Sequence, residues 1–216
     1  SLLFPLIFSR FIPLIQDAFK MKTLLARWVE MIKSRPRLSA WVGFLVVSLA
    51  ALYPRSIYLM HFPTDDLTKG DAGMYFWNFW WTLRCLSEGR NIFQTYLLFY
   101  PEGAELYFHI LHLFNSLFVL PFQAAGIPQL GYNLFVLASA VLSGWGVYTL
   151  ARDMEIRSEA AFLAGALFIL CPYRFGHLDL NHFDLQTTFV IPCYLLWMRR
   201  AMIQPGWKAP VLWALW

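Results

Sequence analysis

The sequence predicts an all-α fold, a polytopic membrane bundle of about four or five transmembrane helices with interfacial or juxtamembrane helices beside them. Of the 216 residues, 59% are hydrophobic and only 14% are charged, whereas a soluble domain contains roughly 25% charged residues. Aromatic residues, which gather at membrane interfaces, make up 19% of the chain. Several apolar segments approach the ~20 residues that cross a bilayer. The same composition excludes a disordered chain and argues against nucleic-acid binding.

Residues 1–37 are predicted to form amphipathic helices that lie in the membrane interface on the cytoplasmic side. The formal net charge of +4 arises almost wholly from a basic cluster between Lys20 and Arg37, which contains a single acid, Glu30. Positive residues beside a first membrane span mark the cytoplasmic side and contact anionic lipid headgroups. The N-terminus is therefore expected in the cytoplasm.

Residues 38–216 are predicted to form the transmembrane domain, with residues 38–60 as its first crossing. This crossing ends outside, where residues 61–106 form an external loop that is rich in carboxylates. Such a loop is a natural place for acid–base chemistry. Its acidic residues are Asp65, Asp66, Asp71, Glu88, Glu102 and Glu105.

The later crossings are located by positive charge. Residues 160–175 and 185–198 are apolar segments, and the second is followed by a basic loop at 199–208, which belongs inside. The polar residues 173–184 between the two segments therefore lie outside.

The first crossing ends outside, whereas the segment 160–175 must begin inside. One crossing back to the inside is therefore needed between them, and residues 131–150 can supply it. Gly144 and Gly146 would allow neighbouring helices to approach closely there. The preceding segment 107–126, interrupted by an asparagine and a proline, is then a juxtamembrane or re-entrant helix. A two-span hairpin through residues 107–150 is the alternative.

Asp71 is the candidate catalytic residue. It directly precedes an aromatic helix predicted over residues 73–87, and at helical spacing Asp71 and Asn78 share one polar stripe. A carboxylate beside a hydroxyl acceptor can take its proton while a sugar carbon loses a phosphate leaving group, which is a general-base role. The alternative is that Asp71 only caps the helix. Asn78 is a candidate substrate-binding residue, and Glu102 and His109 are weaker ones.

A second group of polar residues lies in the external segment 173–184. Arg174 is a candidate for binding a donor phosphate, because a guanidinium pairs with phosphate oxygens through two parallel hydrogen bonds. His177 and His182 are candidates for binding substrate. With two nearby aspartates they also resemble ligands of a divalent cation, but their spacing matches no metal motif, so no metal site is predicted and a cation stays a weak alternative. The competing interpretation is that these residues are interfacial groups that cap two spans.

Four segments follow one another in a specific order and spacing. They are GDAGMYFWNFWWTLRCLSEGRNIF, LFYPEGAELYFHILHLFNSLFVLP, GYNLFVLASAVLSGWGVYTLARDM and ILCPYRFGHLDLNHFDLQ. Together, over about residues 38–200, they resemble the N-terminal half of a bacterial integral-membrane glycosyltransferase of the GT-C superfamily. The resemblance implies a GT-C-like bundle in the bacterial cytoplasmic (inner) membrane and a polyprenyl-phosphate sugar donor that is used on the outer face. The acid of the family's first external loop matches Asp71.

Two function hypotheses follow. The first is a membrane glycosyltransferase whose partners are membrane lipids and the lipid-linked sugar donor, with no cofactor implied for certain. The family has more spans than this chain supplies, so the chain is expected to be a fragment or a shortened relative, too short for a complete enzyme. The second hypothesis is therefore a non-catalytic structural subunit packed against other transmembrane subunits of a larger complex. A transporter or channel is disfavoured because no buried charge is expected to interrupt the predicted spans in the way that usually marks an ion pathway.

Overall fold

The computed structural model describes residues 34–63 and 70–203. The interfacial helices predicted in residues 1–33, together with Asp65, Asp66 and Lys208, lie outside the described residues. The chain divides into two compact units, residues 1–43 and 44–216. The described part of the first unit, residues 34–43, is almost entirely helical.

Helices dominate the described residues, as the sequence predicts. In chain order they are α1 (Pro36–Ala51), α2 (Ala72–Glu88), α3 (Leu113–Ala124), α4 (Pro128–Asp153), α5 (Ser158–Ile169), α6 (Pro172–Asp179) and α7 (Val190–Ile203). A short 3-10 helix, Asp184–Gln186, precedes α7. Between α2 and α3, strand β1 (Gln94–Thr95) pairs antiparallel with β2 (Ala104–Glu105).

Two helical segments of the described chain are long and apolar enough to cross a membrane. One is α4, with 26 residues, and the other is the 22-residue stretch Ser158–Asp179 that contains α5 and α6. At 1.5 Å per residue α4 is about 39 Å long, which exceeds the ~30 Å of bilayer hydrocarbon. The apolar helices α1 and α3 have 16 and 12 residues and do not reach that length.

The helix of the first predicted crossing is shorter than the sequence analysis expects. Helix α1 ends at Ala51, and residues 52–57 form turns instead of continuing the helix to residue 60. Pro54 explains this end, because proline has no N–H to donate and disfavours helical geometry in the residue before it. The hydroxyl of Ser56 then donates a hydrogen bond back to the carbonyl of Leu49 at 2.7 Å.

Helix α3 occupies only the second half of the segment 107–126, and Pro121 lies inside it. Asn115, the polar residue that interrupts this segment, is 4% exposed. The described chain therefore covers this amide by itself.

Helix α4 is the centre of the second unit and packs against α3, α5 and α7. Its glycines allow close approach, as predicted from the sequence. A Cβ atom on Gly165 of α5 would lie 2.5 Å from the carbonyl oxygen of Gly144, and a Cβ on Gly146 would lie 2.9 Å from Pro192 of α7. The backbones of α4 and α5 are thus nearly in contact, which side chains at these positions would prevent.

An aromatic cluster around Phe183 joins α2 and α4 to the residues before the 3-10 helix. The Phe183 ring is fully buried, and it contacts Tyr75 and Phe79 of α2 and Tyr132 and Phe135 of α4. Burying an aromatic side chain of this kind stabilises the fold by about 1.5–3 kcal/mol. The position of Phe183 therefore fixes its two neighbours in the chain, His182 and Asp184.

The two ends of α4 make different polar contacts. Near its start, the amide of Asn133 donates to the carbonyls of Leu59 and His61, both at 2.9 Å. At its end, Asp153 accepts from Arg199 at 2.6 Å and from Arg200 at 2.8 Å, which ties α4 to α7. The charged end of α4 thus lies a helix length away from the end that adjoins the candidate site.

Candidate functional site

The candidate site forms where the start of α2 meets the connection between α6 and the 3-10 helix. Gly70 has a φ of +61°, and a Cβ atom there would come within 2.3 Å of the carbonyl oxygen of Leu180. Only glycine combines this left-handed backbone with so close an approach. The contact brings Asp71 next to the residues that follow Leu180.

Asp71 and two histidines form a row of three side chains. Nε2 of His182 lies 3.6 Å from Oδ2 of Asp71, and Nδ1 of His182 lies 2.8 Å from Nδ1 of His177. The ring of Tyr173 packs edge-on against His177, with centroids 4.3 Å apart. Because the Asp71 side chain is 45% exposed, an acceptor hydroxyl can approach it from solvent. The structure thus brings together three of the predicted site residues.

The contacts of Asp71 bear on the capping interpretation. Asp71 stands at the N-cap position of α2, but its side chain makes no capping hydrogen bond. Its backbone carbonyl accepts the N–H of Tyr75 at 3.1 Å, which starts the helix. The carboxylate contacts His182 instead of the N–H groups of the first turn, so it lacks the bond by which a capping aspartate stabilises a helix.

A second row of side chains lies beside the first. The phenol of Tyr75 donates a hydrogen bond to Oδ1 of Asp184, and Nε2 of His112 lies 3.5 Å from Oδ2 of the same carboxylate. Burial, aided by the bond to Asp184, raises the pKa of Tyr75, so the phenol keeps its proton. Burial lowers the pKa of His112.

Tyr75 is absent from the site residues predicted by the sequence, whereas His112 is a weaker candidate there and Asp184 is one of the two aspartates considered with His177 and His182. The sequence does not predict that the three side chains meet. The available signal was the spacing of Asp71 and Tyr75, since residues four apart lie on the same face of a helix. Nothing in the sequence pairs either of them with a residue more than a hundred positions away.

Asn78 and His109 form a separate contact farther along α2. The amide nitrogen of Asn78 donates to the carbonyl of Ile110 at 2.8 Å, and Nε2 of His109 lies 2.9 Å from Oδ1 of Asn78. Asn78 is fully buried, and burial lowers the pKa of His109. These bonds tie α2 to the residues before α3. A substrate-binding role for the pair stays a prediction.

Arg174 lies in the interior of the described chain. Its fully buried guanidinium donates to the hydroxyls of Ser143, at 2.8 Å, and of Thr188, and to the side-chain oxygen of Gln186 at 3.3 Å. Its Nε has no hydrogen-bond partner. Within residues 34–63 and 70–203, no carboxylate forms an ion pair with it.

The burial of Arg174 corrects the expectation that no buried charge interrupts the predicted spans. Arg174 belongs to the stretch Ser158–Asp179, which is long enough to cross a membrane. Phosphate binding by this residue stays a prediction, because its guanidinium has no exposed surface in this conformation.

Glu102 is exposed in the turn between β1 and β2 and lies apart from the other candidates. Among the residues described, no three or more His, Cys, Asp or Glu side chains lie close enough together to hold a metal ion. Cys85, Cys171 and Cys193 are free cysteines.

A cavity of about 610 Å³ borders α6 at Leu178 and Asp179, the residues that follow His177. Its size is within the ~300–1,000 Å³ of small-ligand sites. Arg55 also lines it; its Nη2 donates to the carbonyl of Pro63 at 3.1 Å, and its Nη1 has no hydrogen-bond partner. The cavity wall thus carries the guanidinium of Arg55 and the carboxylate of Asp179.

No family model matches the chain, and neither the curated proteins nor the solved structures give a significant match to it.

Proposed function

We propose that the chain is a membrane glycosyltransferase, or a truncated relative of one, that transfers a sugar from a lipid-phosphate donor on the external face. Asp71 is the general base. The observation that carries this proposal is the environment of its carboxylate, which is partly exposed, makes no capping bond and lies 3.6 Å from an imidazole. A carboxylate in this setting is available to take a proton.

The reaction requires one proton transfer and one substitution at carbon. Asp71 takes the proton of an acceptor hydroxyl, whose oxygen forms a bond to the anomeric carbon of the donor sugar. The bond between that carbon and the phosphate oxygen breaks, and the lipid phosphate leaves with the electron pair. No metal ion is needed for this balance.

The phosphate of the donor requires a cation, and the cavity beside α6 offers Arg55. We assign the donor phosphate to this cavity, because Arg55 lines it and is only partly buried, and because a guanidinium binds phosphate oxygens well. Arg174 remains the alternative cation, and Asn78, Glu102 and His109 remain the proposed contacts to the rest of the substrate.

The proposed membrane arrangement extends beyond the two long helical segments. In it α1 and α7 also cross, which gives a bundle of about four spans with α3 as a juxtamembrane helix. The exposed side of α3 is apolar, with Phe114 63% and Leu117 56% exposed, and such a surface suits contact with lipids or with other transmembrane subunits. We place this bundle in the bacterial cytoplasmic membrane, with a cytoplasmic N-terminus.

The proposal is tested by Asp71→Asn in proteoliposomes supplied with polyprenyl-phosphate glucose or mannose. Asparagine caps a helix about as well as aspartate but cannot take the proton, so release of polyprenyl phosphate is expected to fall by about 10²–10⁴-fold. Glu105→Gln, which neutralises an exposed carboxylate on β2, is the control and should leave turnover unchanged.

Unimpaired turnover in Asp71→Asn would remove Asp71 from the catalytic role. Absence of turnover in the unmodified chain would instead favour the second hypothesis, a structural transmembrane subunit that retains the helical scaffold without catalysis.

A further inference from the structure

The two histidines beside Asp71 continue one row of side chains, with His182 between Asp71 and His177. His182 is partly buried against Asp71, with 27% of its side chain exposed. His177 lies beyond it, under the half-exposed ring of Tyr173. We propose that His182 and His177 form a two-imidazole relay that carries away the proton Asp71 takes from the acceptor, an inference that rests on the proposed function.

The contact between the two rings constrains where their protons lie. Two Nδ1 atoms at 2.8 Å need one hydrogen between them, because a neutral imidazole has one N–H and one acceptor nitrogen. If His177 supplies that hydrogen, the proton of His182 is on Nε2, on the side of the ring that is 3.6 Å from Asp71. If His182 supplies it, Nε2 of His182 is free to accept a proton from Asp71. The position of this one shared proton thus decides whether Nε2 of His182 carries a proton or can accept one from Asp71.

The transfer balances in the second arrangement. Asp71 passes the proton of the acceptor hydroxyl to Nε2 of His182, while Nδ1 of His182 passes its own proton to Nδ1 of His177. His177 releases the proton of its Nε2 to water, so that one proton leaves and the carboxylate of Asp71 is restored. Each ring changes tautomer in the process and remains neutral.

The backbone keeps these groups in line. The N–H of His182 donates to the carbonyl of His177 at 2.9 Å, and Phe183 anchors the next position in the aromatic cluster. Among the described residues, the titratable groups in contact with the two rings are Asp71 from the start of α2 and Tyr173 from α6. Asp71 is thus the charged side chain that contacts the two rings of the relay.

Turnover of polyprenyl-phosphate glucose or mannose between pH 5 and pH 8, the range in which imidazoles change charge, provides the first test. Acid is expected to slow the unmodified chain, because a doubly protonated His182 cannot accept a proton. His182→Gln should lower turnover at pH 7 by about tenfold or more. It should also abolish the fall of turnover in acid. Added imidazole should restore part of the activity of His182→Ala.

An unchanged pH profile in His182→Gln, together with an inactive Asp71→Asn variant, would overturn the relay and leave the proposed function standing. No turnover in the unmodified chain would overturn both. Glu105→Gln again serves as the control variant.

The NMR signals of ¹⁵N-labelled histidine side chains test the relay without turnover. Asp71→Asn is expected to change the signals of His182 and, through the shared hydrogen, those of His177. His61 provides the internal reference, because its ring packs on Tyr58 and not on the relay. Signals of His177 that do not respond to Asp71→Asn would overturn the relay.

Discussion

At the scale of single residues, the candidate site depends on two residues that take no part in the proposed chemistry. Phe183 is buried among four aromatic rings and so determines where His182 and Asp184 lie. Gly70 lets the backbone before Asp71 touch the backbone at Leu180. The proposed chemistry is therefore sensitive to positions that look purely structural.

Gly70→Ala tests this dependence. A left-handed residue other than glycine costs about 1–2 kcal/mol, and the 2.3 Å approach of a Cβ to Leu180 adds a further ~1–3 kcal/mol of overpacking. Gly89→Ala is the matched control, because Gly89 has a φ of +64° with no atom within 4 Å of a Cβ. Thermal unfolding in detergent should show the larger loss for Gly70→Ala, and equal losses would refute the close contact.

The pKa of His112 predicts how stability varies with pH. Burial lowers this pKa below 6.5, so the unfolded chain binds more protons than the folded one when the pH lies between the two values. The stabilising contribution is thus present above pH 6.5 and is lost as the pH falls through the folded-state pKa.

The expected result is a Tm that is steady from pH 8 to pH 7 and falls below pH 6.5, by up to about 4 °C per pH unit. His112→Gln should weaken this dependence, although His109, whose pKa is also lowered by burial, retains part of it. A steeper fall of Tm with decreasing pH in His112→Gln would contradict the attribution of this dependence to His112.

At the scale of helices, the packing of α4 on α5 relies on the absence of side chains. A Cβ on Gly165 would lie 2.5 Å from the carbonyl of Gly144 and 2.6 Å from the ring of Phe44. Backbone cannot move aside as the end of a flexible side chain can, so the two helices would have to separate.

Gly165→Ala is accordingly expected to destabilise the chain by about 1–3 kcal/mol. Gly176→Ala on α6 should have the opposite sign and stabilise by about 0.4–1 kcal/mol, because no atom lies within 4 Å of a Cβ there. Thermal unfolding of both variants checks this pair. A tolerated alanine at position 165 would show that α4 and α5 are farther apart.

Helices were easier to predict from the sequence than their contacts. The predicted helix 73–87 and crossing 131–150 correspond to α2 and α4 within a few residues, because each has a continuous apolar pattern with local start and stop signals. The pairing of Asp71 with His182 and the burial of Arg174 were not predictable. They depend on how distant segments pack, and a polar residue has no local pattern that shows whether it faces solvent or the hydroxyls of another helix.

At the scale of the whole second unit, the two ends of α4 make different contacts. The end that adjoins Asn133 binds backbone carbonyls in the turns at residues 59–61, whereas Asp153 at the other end binds Arg199 and Arg200. Positive charge at one end of an apolar helix is typical of the cytoplasmic side. The orientation of α4 in a membrane stays a prediction.

Labelling of single cysteines in sealed vesicles tests whether α4 crosses the membrane. Leu180→Cys, on the exposed side chain next to the candidate site, should react with a membrane-impermeant maleimide added outside. Glu155→Cys, just beyond the end of α4 and exposed, should react only after the vesicles are opened. Both are made with Cys171→Ala and Cys193→Ala, while the buried Cys85 is retained as a background control. Equal labelling of both positions from outside would show that α4 does not span the bilayer. Labelling of Leu180→Cys only in opened vesicles would deny Asp71 the external position that the proposed reaction requires.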